Sequence, residues 1–92
     1  MNYEWDTKKN EGNIDKHGIS FQYAKKVFED EFRLESDLYY ENGEYRYNVI
    51  GKVRKVLLVV CTDRSDDTIR IISARKATKR EEALYYDSYY DI

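Results

Sequence analysis

The sequence has no proline, one cysteine, one histidine and four glycines among its 92 residues. Each scarcity closes off a class of protein. Cys61 has no partner for an intrachain disulfide, and its place directly after Val56-Leu57-Leu58-Val59-Val60 suits a thiol that behaves as a small hydrophobe, so a cytoplasmic setting is expected. His17, as the sole histidine, excludes any mechanism that needs two, and with one cysteine it leaves a structural zinc site short of its usual ligands. No Gly-rich phosphate loop, Gly-x-Ser-x-Gly elbow or Cys-x-x-Cys pair occurs, so neither a metal nor a cofactor is expected. The longest apolar run is too short to cross a bilayer and polar residues follow Met1, so no membrane association and no processing are expected. Without linkers or repeats, residues 1–92 read as one domain, in which folding buries roughly 65% of the unfolded chain's surface.

Charge is present in abundance but unevenly placed. The formal net charge is -2, yet residues 46–80 carry ten Lys/Arg against three Asp/Glu, while the flanking segments are acidic. Two readings stand at this level. Either the basic segment forms a face that attracts a polyanion, or its cations are the solvated outer sides of strands.

The local signals outline an α+β fold. Asn2–Trp5 suits a short opening strand, Asp6 caps a helix over about Thr7–Lys16, and Gly18 ends it. Ser20 caps a second helix whose Phe21, Ala24, Val27 and Phe28 recur at helical spacing and predict a core stripe. Asn42-Gly43 predicts a hairpin pairing Arg33–Tyr40 with Tyr45–Gly51, and Lys52-Val53-Arg54 predicts the next turn. Lys55–Thr62 reads as a central strand buried on both faces, Asp63–Asp67 as a turn holding Arg64, and Thr68–Ala74 as the last strand. Thr78 and Glu81 form a capping box for a terminal helix.

Chemistry-bearing residues are few. His17 has an imidazole suited to proton transfer near neutral pH, or it is simply a cation at a helix C-terminus. Arg46, Arg64, Arg70 and Arg75 lie on or beside strands, where a guanidinium must be paired or open to a ligand such as phosphate. Asp63, Asp66, Asp67 and Glu81 are the alternative partners, and strand alternation does not oblige Arg70 and Arg75 to share a face. Of ten tyrosines, Tyr85, Tyr86, Tyr89 and Tyr90 run around the last helix rather than along one stripe, which predicts a partner surface or a frayed tail.

Taken together, Glu4-Trp5-Asp6, Lys16-His17-Gly18-Ile19 with Phe21 following, Arg46 before Gly51, and the run from Ile69 through Arg70, Ser73, Ala74, Arg75 and Lys76 to Ala77 resemble the BrnT family of toxins. The resemblance implies a RelE-like fold, with two N-terminal helices packed on an antiparallel sheet and a C-terminal helix. It implies a metal-independent endoribonuclease that cuts RNA to inhibit translation. The implied partner is a BrnA-like antitoxin of ribbon-helix-helix type, through which alone the toxin meets DNA. By the same resemblance Lys16, His17, Arg46, Arg64 and Arg75 are the catalytic candidates, and Arg70, Lys76, Lys79 and Arg80 the phosphate- or RNA-binding ones. The acidic balance and the lack of a recognisable acid–base pair motivate two alternatives. One is a catalytically inactive module that pairs with the same antitoxin; the other is a basic face that binds nucleic acid without chemistry.

Overall fold

A computed structural model describes residues 1–65 and 67–90. Its elements are β1 (Asn2–Glu4), α1 (Thr7–His17), α2 (Phe21–Ala24), a 3-10 turn (Lys25–Glu29), β2 (Leu34–Glu35), β3 (Tyr39–Glu41), β4 (Glu44–Val53), β5 (Lys55–Ser65), β6 (Thr68–Lys76) and α3 (Lys79–Tyr90). The sheet runs β1-β6-β5-β4-β2, with β3 also paired to β4. It is mixed rather than wholly antiparallel, because β1 pairs with β6 in parallel through Tyr3 opposite Ile69 and Glu4 opposite Arg70.

Local chemistry sets the element ends. Asp6 accepts the Lys9 amide at 3.1 Å and Ser20 accepts the Tyr23 amide at 3.0 Å, so each supplies an acceptor for a helix N–H that has no partner within its helix. Gly18, at φ 71°, gives its amide to the Ile14 carbonyl and closes α1. Asn42 and Gly43, at φ 51° and 81°, make the tight turn between β3 and β4. At α3 the capping box forms in both directions: the Glu81 amide donates to Thr78 Oγ1 and the Thr78 amide donates to Glu81 Oε1.

The pairing registers assign two faces to the sheet. Tyr47, Val49, Gly51, Leu57, Val59, Cys61, Ile69, Ile71 and Ala74 face α1, α2 and the 3-10 turn, and with Phe21, Ala24 and Val27 they form the core. Gly51 lets the layers meet, since a Cβ there would stand 2.8 Å from Val27 Cβ. Asn13, a polar residue inside α1, is buried and donates to the Ile19 and Ala74 carbonyls at 2.8 and 2.9 Å while accepting the Ala74 amide at 3.1 Å. One side chain thus fixes α1 to β6. Burial pushes the Cys61 thiol up to about 12, so this cysteine stays protonated in the core.

Other expectations change as well, beginning with the second helix, which is α-helical only over Phe21–Ala24 and continues as the 3-10 turn. The strand expected over 33–40 divides into β2 and β3, and between them the Ser36 hydroxyl accepts the Asn48 amide in place of regular pairing. The central strand runs on through Ser65, so Arg64 lies in β5 rather than in a turn, beside a register shift between Asp63 and Ser65. Tyr85 is 2% exposed, with its hydroxyl 2.5 Å from Asp30 Oδ2, so it anchors α3 instead of offering a partner surface. Burial alone would raise the Asp30 pKa, but hydrogen bonds from Tyr85 and from the Lys52 and Phe32 amides outweigh it and hold the carboxyl below its usual range. Asp66, offered as an arginine partner, and the side chains of Tyr89 and Tyr90 lie outside the described residues.

Candidate functional site

The cations divide into two groups. The first occupies the sheet face away from α1. Cys61 pairs with Ile71 but Val60 pairs with Ser73, so Ile72 is an extra residue that reverses the alternation of β6. Arg75, opposite Leu58, and Arg70, opposite Thr62, consequently share that face. Arg46 joins them from β4, with Arg64 at the end of β5.

Every arginine in this first group holds a carboxylate. Arg46, whose side chain is 8% exposed, contacts Glu41 at 2.9 Å and Glu44 at 2.8 Å. Arg70 and Arg64 share Glu4 Oε2 at 2.9 and 3.3 Å. Arg75 grips both oxygens of Glu81, at 2.8 and 2.9 Å, in the planar two-bond geometry a guanidinium favours. That hydrogen bonding, ahead of the opposing effect of burial, holds the Glu81 carboxyl below its usual range. The balance differs from place to place. Arg46 with two carboxylates is locally negative, Arg75 with Glu81 is neutral, and Arg64 and Arg70 with one carboxylate retain a positive charge.

The second group lies at one end of the strands, where α1 ends, β4 turns into β5 and β6 leaves the sheet; Arg75 of the first group directly precedes Lys76 there but belongs to the other face. A groove of about 300 Å³ is lined there by His17, Tyr23, Arg54, Lys55, Leu57 and Lys76 together with Gly18, Ile19 and Val53, and among the described residues its lining holds no carboxylate. The register explains the convergence. Lys76 pairs with Leu57 across β5–β6, Lys55 opens β5, and Asn13 holds α1 against β6 so that the end of that helix reaches the same place. The Ala77 amide donates to the Val56 carbonyl, which brings the exposed Lys79 and Arg80 of the first turn of α3 to this end as well. Lys16 is exposed on the last turn of α1 beside His17. Among the described residues, Lys16, His17, Arg54, Lys55 and Lys76 form no ion pair.

The residues expected from sequence therefore do not form one site. His17 and Lys76 line the groove with Lys16 next to His17 in α1, Arg46, Arg64, Arg70 and Arg75 lie on the other face, and Lys79 and Arg80 open α3, whose Glu81 is held by Arg75. Six residues along β5 separate Lys55 from Cys61, the partner of Arg46's neighbour Tyr47, which at ~3.3 Å per residue is about 20 Å. Arg54 and Lys55 are groove residues that the sequence had marked only as turn and strand start. The available signal was Arg54 in a turn: it adopts φ 63°, a left-handed conformation that costs a non-glycine residue about 1 kcal/mol. Among the described residues, no three His, Cys, Asp or Glu side chains cluster as metal ligands do, and no helix is long and apolar enough to cross a membrane.

No curated protein matches the sequence. Among solved structures, the crystal structure of the Brucella abortus ribonuclease toxin BrnT superposes with a TM-score of 0.62 at 22% identity, covering 86% of this chain and 99% of that one, which shows a shared fold. The family model for the ribonuclease toxin BrnT of type II toxin–antitoxin systems matches residues 5–81, a span that includes both groups of cations. The chain belongs to the BrnT family of ribonuclease toxins.

Proposed function

We propose that this protein is an endoribonuclease toxin that cuts RNA without a metal ion and so inhibits translation in the cytoplasm. A BrnA-like antitoxin of ribbon-helix-helix type neutralises it, and its contact with DNA passes through that partner. The observation that carries this reading is the groove in which the sole histidine stands among lysines with no carboxylate in the lining.

Such a groove suits the reaction. The ribose 2′-hydroxyl loses its proton and its oxygen attacks phosphorus, the bond to the 5′-oxygen breaks, and that oxygen takes up a proton, leaving a 2′,3′-cyclic phosphate and a 5′-hydroxyl. Lys55 and Lys76 stabilise the charge that builds on the phosphoryl oxygens, with Lys16, Lys79 and Arg80 drawing in the flanking phosphates. His17 serves as base or acid for one proton transfer, and Lys16 or solvent serves for the other.

A second reading has an observation of its own. Arg64 and Arg70 share the single carboxylate of Glu4, so a substrate phosphate can join them without displacing it. On that reading Arg46, Arg64, Arg70 and Arg75 handle the phosphate, and cutting depends on them.

The test is incubation of a defined free RNA with the purified protein in EDTA, alongside folded Lys55→Ala/Lys76→Ala and Arg46→Ala/Arg75→Ala double variants. The groove reading expects cutting by wild type, its loss in the lysine variant and its retention in the arginine variant. The reverse pattern supports the arginine face. Intact RNA throughout, with an antitoxin still captured, overturns catalysis on free RNA and leaves a binding module.

A further inference from the structure

Arg54 stands at the apex of the β4–β5 connection, and three observations about it converge. It adopts φ 63°, where glycine would be at ease. Its neighbours give it no slack, because Val53 pairs with Lys55 and the Val53 carbonyl accepts the Tyr23 hydroxyl at 2.9 Å. Its side chain is exposed and forms no ion pair among the described residues, as is true of Arg80 on α3, whereas Arg33, Arg46, Arg64, Arg70 and Arg75 all form one. A turn that asks for glycine and carries an unpaired arginine points to a role for the side chain rather than for the fold.

Position indicates the role. Arg54 lines the groove of His17 and Lys76, and it also lines a second cleft of about 630 Å³ on the other side of the same turn. The two clefts differ in chemistry. The first has cations and, among the described residues, no carboxylate in its lining; the second mixes Lys26 and Lys52 with Glu29 and Asp30 beside the Tyr86 ring, over which Lys52 Nζ stands at 5.4 Å from the centroid. A phosphate suits the first, whose charged lining is wholly basic, better than the second, where cations and carboxylates are mixed and the Tyr86 ring and the Glu29 carboxylate suit a base. Only an unpaired strand can turn a base into such a cleft while its backbone continues into the neighbouring one.

We propose that Arg54 is the residue over which single-stranded RNA crosses between the clefts, its guanidinium holding the phosphate that joins a nucleotide beside Tyr86 to the nucleotide beside His17. This rests on the ribonuclease reading above and adds to it a specific contact and the form of the substrate. The planar fork of arginine accounts for the residue type, since it meets two phosphate oxygens at once where a lysine meets one.

The experiment uses the full chain with Arg54→Gly and Arg54→Lys. Binding of a short fluorescein-labelled, 2′-O-methylated single-stranded RNA, which cannot be cut through its 2′-oxygen, is followed by anisotropy; cutting of the unmodified strand and thermal unfolding are measured in parallel. The glycine variant is expected to melt no lower than wild type yet to bind at least about tenfold more weakly, with the lysine variant between the two. Unchanged binding and cutting by Arg54→Gly overturns the proposal and leaves the ribonuclease reading intact. Equal loss on a duplex RNA of the same sequence overturns the single-strand assignment. A wild-type protein that neither binds nor cuts the single strand overturns both.

Discussion

The arginine face and the histidine groove contain the same kind of charge in opposite states. On the face, each of Arg46, Arg64, Arg70 and Arg75 is matched to at least one glutamate. In the groove, Arg54, Lys55 and Lys76 approach one another with no carboxylate in the lining. Like charges held together without compensation destabilise a fold. The contrast separates cations neutralised by glutamates from cations with no such partner among the described residues.

The sharpest way to break this contrast is to delete the histidine. His17→Ala is expected to lower RNA cutting by about 10²–10⁴-fold with little change in melting temperature, since the side chain is exposed at a helix end. Undiminished cutting would move the chemistry out of the groove. Next in size is Asn13→Ala, which removes three buried hydrogen bonds and strands the Ala74 amide and two carbonyls; a loss of about 2–4 kcal/mol in urea unfolding is expected. A loss under about 0.5 kcal/mol would mean that α1 is held to β6 by other contacts.

The smallest effect belongs to the paired face and depends on pH. Hydrogen bonding to Arg75 lowers the folded-state pKa of Glu81, so its contribution to stability is complete above the ordinary glutamate range and disappears as pH falls through the lowered value. Urea midpoints measured from neutral pH down to about pH 3 should therefore decline less steeply for Glu81→Gln than for wild type. Parallel curves would show that the Arg75–Glu81 contact contributes nothing measurable, as is common for exposed pairs.

What the sequence made legible was local. Asp6, Ser20, Gly18, Asn42-Gly43 and the Thr78–Glu81 box act within a few residues of themselves, so their structural consequences can be read without the rest of the fold. The apolar run beginning at Val56 likewise marked the buried centre of β5. The less legible features depend on distant residues. Ile72 shows no sign of being extra until β6 is laid against β5, and that one insertion brings Arg70 and Arg75 to a common face. Asn13 looks like a surface residue of a polar helix until Ala74, 61 residues away, supplies its partners. Tyr85 read as part of a partner surface because its hydrogen-bond partner Asp30 is 55 residues away in the chain. The candidate site was legible to the same extent: Lys16-His17 and Lys76 announced themselves as basic motifs, while Arg54 and Lys55 acquire their place only when the β4–β5 turn meets the end of α1.

The parallel pairing of β1 with β6 bears on how the protein comes into being during synthesis. Residues 2–4 are made well before their strand partners, residues 68–70, so this edge of the sheet stays open until those later residues have been made. The same delay governs the groove, since Lys76 and the Ala74 backbone that anchors α1 are made later still. A nascent chain with this connectivity has no complete groove until Lys76 has been made, long after His17.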